Sequence, residues 1–153
     1  MNSSWDVVAY EVRMFRATYD IVLDPVAFNT LEKVFANAVE ESAVLHTRIL
    51  CDVLLSKSVG SDDIQLSTLF SDWGTSTRYR NVKRLIHDLR RRYGAATRHG
   101  SCCWIFNKMM AHPTIHRGRS YDYTAILQSL RPFIQKIIEE IESLRGDPFT
   151  WSW

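Results

Sequence analysis

Apolar residues recur along most of this chain at three- and four-residue spacing, which lays them along one side of an α-helix. Between positions 5 and 19 the stripe is Trp5, Val8, Ala9, Val12, Phe15 and Tyr19, with Ser3 or Ser4 placed to cap it. A second stretch starts at Asp24-Pro25, where a carboxylate accepts from free backbone N–H groups and proline already has the φ of a first turn. Phe28, Leu31, Val34, Phe35, Ala38, Val39, Val44, Leu45, Ile49, Val53 and Leu54 carry the pattern on to about Lys57. No Gly or Pro stops it, which predicts one long helix or two in line. Gly60 breaks the pattern, and Asp62-Asp63 is placed to cap a short helical segment holding Ile64, Leu66, Leu69, Phe70 and Trp73.

Residues 74–77 read as a loop. Over 79–93, Val82, Leu85, Ile86 and Leu89 make a narrow apolar stripe among many arginines, so this helix turns a wide face to solvent or to a partner; it ends at Gly94. Residues 101–112 predict another helix, closed by Pro113, whose ring cannot continue the hydrogen-bond ladder. The last helix is expected over about 123–144, with Ile126, Leu127, Leu130, Phe133, Ile134, Ile137, Ile138 and Ile141 inward; Pro132 should kink it or mark a join. There is no internal repeat, low-complexity run or strand alternation. The expected fold is a single all-α domain over 1–153, bundle-like.

A chain of 153 residues, 46% of them hydrophobic, is long enough to bury a core without disulfides or metal. Cys51, Cys102 and Cys103, two of them adjacent and none preceded by a leader-like start, argue against a secreted disulfide scaffold. The apolar runs fall far short of the roughly 20 residues needed to cross a bilayer. A cytoplasmic protein without a membrane partner is expected. The net charge of +2 is unevenly spread. Arg78, Arg80, Lys83, Arg84, Arg90, Arg91, Arg92, Arg98, Lys108, Arg117 and Arg119 face Asp88 alone in the middle of the chain, whereas the first third carries Asp6, Glu11, Asp20, Asp24, Glu32, Glu40 and Glu41 and the last helix carries Glu139, Glu140 and Glu142. That polarity favours an anionic partner for the middle or the acidic surface of a second protomer; the plainer reading is a solvated face.

Two polar groupings break the apolar pattern. Glu41, Arg48 and Asp52 stand at i, i+7 and i+11, within roughly 20° of one line on a helix. They make either an ion-pair ladder or a pocket in which Glu41 and Asp52 hold Arg48. His46 lies about 140° round from Glu41, the place of a core or interface histidine that supports rather than joins the line. The second grouping is Asn107, Lys108, His112 and, past Pro113, Arg117. Lys108 and His112 share a face with Trp104, and Asn107 turns toward Cys103. At a helix C-terminus His112 meets the negative field of unsatisfied carbonyls, which favours its protonated form and suits anion binding or acid catalysis; a helix-end cap is the structural alternative. His99, Cys102, Cys103, His112 and His116 lie close together, but adjacent cysteines cannot grip one zinc as a spaced pair does, and Pro113 disrupts the histidine pair. No metal or other cofactor is implied, and there is no phosphate-binding glycine loop or nucleophile elbow.

Glu41-x4-His46-x-Arg48-x3-Asp52, then Asp62-Asp63-Ile64, then Asn107-Lys108-x2-Ala111-His112-x-Thr114-x2-Arg117 resemble, in that order, motifs of small uncharacterised bacterial all-helical proteins. More distantly, Asn107-Lys108-x2-Ala111-His112 is similar to the end of the ribonuclease motif of HEPN domains, up-and-down helical bundles that often dimerise. There an arginine and a polar residue stand four to six residues before a histidine, and the arginine and histidine cleave RNA. Asn107 and His112 match; Phe106 occupies the arginine's place. The resemblance implies a HEPN-like homodimer that binds RNA, a nucleotide or another anion, with Arg48, Lys108 and Arg117 on the ligand. Asn107 would orient, and His112 would be the acid or base of any metal-independent ribonuclease step. The competing expectation is a non-catalytic protein-interaction module, a homodimer or one partner of a toxin–antitoxin or defence pair.

Overall fold

A computed structural model describes residues 3–56, 63–110 and 121–150. The fold is all-α: seven α-helices and no strand among the described residues. Helix α1 (Ser4–Val22) opens on a capping box in which Ser3 accepts from the Asp6 amide and the Asp6 carboxylate accepts from Ser3, so two N–H groups that no helix turn satisfies are paired at once. Its inward face is Val8, Val12, Phe15, Tyr19 and Val22.

The next stretch is two helices, not one. Asp24 caps α2 (Pro25–Asn29), and after a break at residues 30–32 the chain resumes as α3 (Lys33–Leu55). At the end of α2 the Thr30 amide donates to the Val26 carbonyl and its hydroxyl to the Ala27 carbonyl, and the chain turns there without Gly or Pro. None of residues 33–42 is buried, whereas Ala43, Val44, Thr47, Leu50, Cys51 and Leu54 are. Val34 and Phe35, placed inward by the periodicity, are 75% and 61% exposed. The stripe continues through that half of α3, but the described residues leave it uncovered there.

The short helical segment shrinks to α4 (Leu66–Leu69), and a single 3-10 turn over Thr77–Tyr79 leads into α5 (Arg80–Tyr93). Helix α5 stops at Gly94, with φ near +80°, and a Cβ there would lie 2.7 Å from Ser101 Cβ. Glycine is required by both the backbone and the close approach. Ser101 then caps α6 (Cys102–Met110), accepting from the Trp104 amide and donating to the Ala95 carbonyl. The last helix, α7 (Tyr123–Arg145), runs continuously through Pro132, so the proline marks no join. Helix α1 packs on α3, and α7 packs on α5, α3 and α1. The shared core is largely Phe15, Tyr19, Leu50, Leu89, Phe106, Leu127, Leu130, Ile134, Ile137 and Ile138. No described helix is long and apolar enough to cross a membrane.

Helix α1 is also tied to the far end of the described chain. Arg16 donates from both terminal nitrogens to the Glu142 carboxylate at 2.8 and 2.9 Å, and the Phe149 amide donates to the same carboxylate at 2.7 Å. These bonds, those of Arg16 first, hold the Glu142 carboxyl below its ordinary value. A depressed carboxyl contributes stability that is complete above the unfolded value, about pH 4.3, and is lost as pH falls through the folded value. Urea midpoints are therefore expected to drop below about pH 4.3, and Glu142→Gln to flatten that drop while lowering the midpoint at neutral pH. An acid limb of unchanged steepness in Glu142→Gln would mean the pair contributes nothing.

Candidate functional site

Helix α6 sits against α3 and α5, which puts Asn107 and Lys108 on a helix neighbouring that of Arg48 and Asp52. On α3, Arg48 Nε stands 4.0 Å from Asp52 Oδ2, one turn on. Glu41, two turns back, is exposed and has no ion pair among the described residues. On α6, the Asn107 amide points along its own helix to the Cys103 sulfur at 3.8 Å. Cys103 is the meeting point: burial raises the pKa of its thiol, the Tyr93 hydroxyl beside it opposes that, and the charges of Asp52 and Arg48 act in opposite senses. Lys108 is half-buried with its ammonium 5.8 Å from the Trp104 ring centroid, held by the negative face of the indole. His112 and Arg117 lie outside the described residues. Phe106 is fully buried and packs edge-on to Tyr93 at 6.2 Å. A side chain at position 106 faces the core, so no surface group can stand in that place.

His46 belongs to another environment. Its Nδ1 lies 2.7 Å from Glu11 Oε2 across the α1–α3 interface, with both side chains about nine-tenths buried and the Tyr10 ring edge-on at 5.9 Å. It ties two helices together.

Beside the Arg48–Asp52 pair opens a cavity of about 810 Å³, between the ends of α3 and α5 and the start of α6. Asp52, Asp63, Arg90, Tyr93 and Cys103 supply its polar wall. Although 69% of the Asp52 side chain is exposed, the protein behind its carboxyl strips part of its hydration and raises its pKa, an effect Arg48 opposes and Asp63 reinforces. Across the cavity Arg90 donates to the Leu55 carbonyl at the end of α3, at 3.1 Å. The Tyr93 hydroxyl is buried against the Cys103 thiol. Mixed charge of this kind selects no obvious ligand.

Helix α5 is different. Arg80, Arg84, His87 and Arg91 are all exposed, and at 100° per residue they fall within a sector of about 60°. The line is about 16 Å long at 1.5 Å per residue. Arg80 and Arg91 have no ion pair among the described residues; Arg84 lies 3.8 Å from Asp88 and also donates to Asn81. Along one flank, exposed Lys83 donates to the Trp73 carbonyl at 2.7 Å and holds its ammonium 5.2 Å from the indole centroid. Trp73 is half-buried against Phe70 and Tyr79, at 6.2 and 4.9 Å between rings.

Comparison with protein-family models, with curated proteins and with solved structures gives no match. What the molecule does must be argued from its own groups. Three of these are not singled out by the sequence pattern: Glu11, Tyr93 and Trp73. Glu11 carries no local signal, being 35 residues from His46. Trp73 had one in principle, since an aromatic just ahead of a basic helix is a common companion of polyanion binding.

Proposed function

We propose that the chain is a helical RNA-binding domain that holds phosphates along the exposed basic line of α5, without cleaving them through its described residues. The observation that carries this is the alignment of Arg80, Arg84, His87 and Arg91 on one exposed face, with Asp88 the helix's lone acid. A solvated face needs no such alignment, whereas a phosphate backbone does. The all-α bundle and the polar motif are compatible with a HEPN-like domain. Binding is favoured over cleavage because Phe106 turns the motif's arginine position into the core, and because Asn107 is directed at Cys103 rather than outward.

The test is the affinity of a labelled single-stranded RNA as salt is raised. Fluorescence anisotropy is expected to give a log–log slope of about −3, from four or five phosphates at about −0.7 each. Absence of salt-sensitive binding at low ionic strength would remove the proposal.

A second reading, a protein-interaction module pairing with its own copy, has one observation in its favour. Val26 of α2 and Val34 and Phe35 of α3 are 76%, 75% and 61% exposed, large apolar side chains close together in the chain with no cover. On this reading light scattering gives a dimer that Phe35→Asp converts to monomer without loss of helix. A wild-type monomer at every concentration would end it.

A further inference from the structure

Beside the basic line of α5 there is a hollow of about 290 Å³ whose rim carries Trp73, Lys83 and Arg90 and whose floor includes Ile86, Val53 and Leu66. That volume is at the small end for bound organic molecules and suits one base rather than two. Its composition matches what a flipped-out base needs. An indole offers a π-face, aliphatic side chains cover the rest of the ring, and two cations stand at the edge where the backbone would pass. Helical geometry also places it. Lys83 and Arg90 are about 70–90° from the middle of the Arg80–Arg91 line and on the same side of it, so a strand lying on that line with a base turned to that side meets the mouth of the hollow.

We infer that this hollow is a base-binding subsite: one base of a single-stranded nucleic acid stacks on Trp73 while Lys83 and Arg90 hold the flanking phosphates. This rests on the RNA-binding reading of the α5 face and narrows it to single strands, because a base locked in a duplex cannot leave its stack without cost. Lys83 now occupies the position over the indole. Its ammonium is exposed on a flexible stem, so an arriving base displaces it at little cost and the cation follows the phosphate. Phe70, stacked at 6.2 Å, and Tyr79, tilted at 4.9 Å, pack against the indole, which keeps the platform fixed before anything binds. Arg90, bonded to the Leu55 carbonyl, is held in place in the same way and keeps donors to spare.

The experiment compares a labelled uridine oligomer of about 12 nucleotides with an RNA duplex of the same length, each titrated against wild type, Trp73→Leu and Lys83→Ala. Trp73→Leu is expected to weaken single-strand binding about tenfold with an unchanged salt slope and to leave duplex binding within about twofold. Lys83→Ala should lower single-strand affinity and make the slope shallower by about 0.7. Equal single-strand affinity in wild type and a folded Trp73→Leu protein overturns the subsite while leaving the basic-face reading intact. Loss of salt-sensitive binding by wild type to both probes overturns both. Should Trp73→Leu fail to fold, photocrosslinking of a 4-thiouridine oligomer to the wild-type protein decides instead: adducts at Trp73 or the residues lining the hollow sustain the subsite, and adducts confined to other segments refute it.

Discussion

Replacing His46 by alanine is expected to cost about 1–3 kcal/mol of stability, the range for leaving a buried hydrogen-bonding group without its partner. The Glu11 carboxylate would be left nine-tenths buried without the imidazole 2.7 Å away. Little water reaches it there, since the Glu11 side chain is 10% exposed and Val8 and Val12 on the same face of α1 are buried. Urea unfolding at neutral pH measures the loss. A double replacement, Glu11→Leu with His46→Leu, is expected to recover most of it, because an apolar pair of similar volume carries no desolvation penalty. A loss of under about 1 kcal/mol in His46→Ala would mean that Glu11 finds another partner.

Reversing the charge of Arg80, Arg84 and Arg91 together to glutamate is expected to weaken RNA binding at least a hundredfold and to make the log–log salt slope shallower by about 2. Stability should change little, since all three side chains are exposed and Arg80 and Arg91 have no ion pair among the described residues. Circular dichroism and the urea midpoint check the second half, anisotropy the first. Unchanged affinity in the folded triple variant would return the face to the role of a solvated surface.

Much of the fold was legible because apolar periodicity reports which side of a helix meets protein. Helix α1, the Asp24-Pro25 start, the end of α5 at Gly94 and the span of α7 follow from stripe, cap and breaker residues alone. Periodicity does not report whether protein is there to be met. Val34 and Phe35 continue a stripe that is buried only from Ala43 onward, and the break at residues 30–32 falls where the sequence has no Gly or Pro to announce it. The candidate site was legible in part. Arg48 and Asp52 do meet, and α6 does bring Asn107 to the same region through Cys103. Glu41 stands apart from them, and His46 took its partner from α1, a choice no spacing within α3 encodes. Pro132 shows the opposite limit: a residue expected to kink the helix or mark a join marks no join, in a helix packed against α5, α3 and α1.

The ties between α1 and residues 142–150 have a consequence for the order in which the molecule assembles. Arg13 donates to the Thr150 carbonyl, Arg16 to Glu142, and Trp5 lies against Phe149 under the Arg145 guanidinium. These contacts join groups more than a hundred positions apart, so loop closure delays them relative to the pairing of α1 with α3. During synthesis α1 and α3 emerge first and lock through Glu11 and His46, while Arg16 stays wet until α7 arrives. Hydrogen exchange followed during refolding should then protect α1 amides in two steps, and a ribosome-tethered chain ending before Glu142 should already hold the first of them.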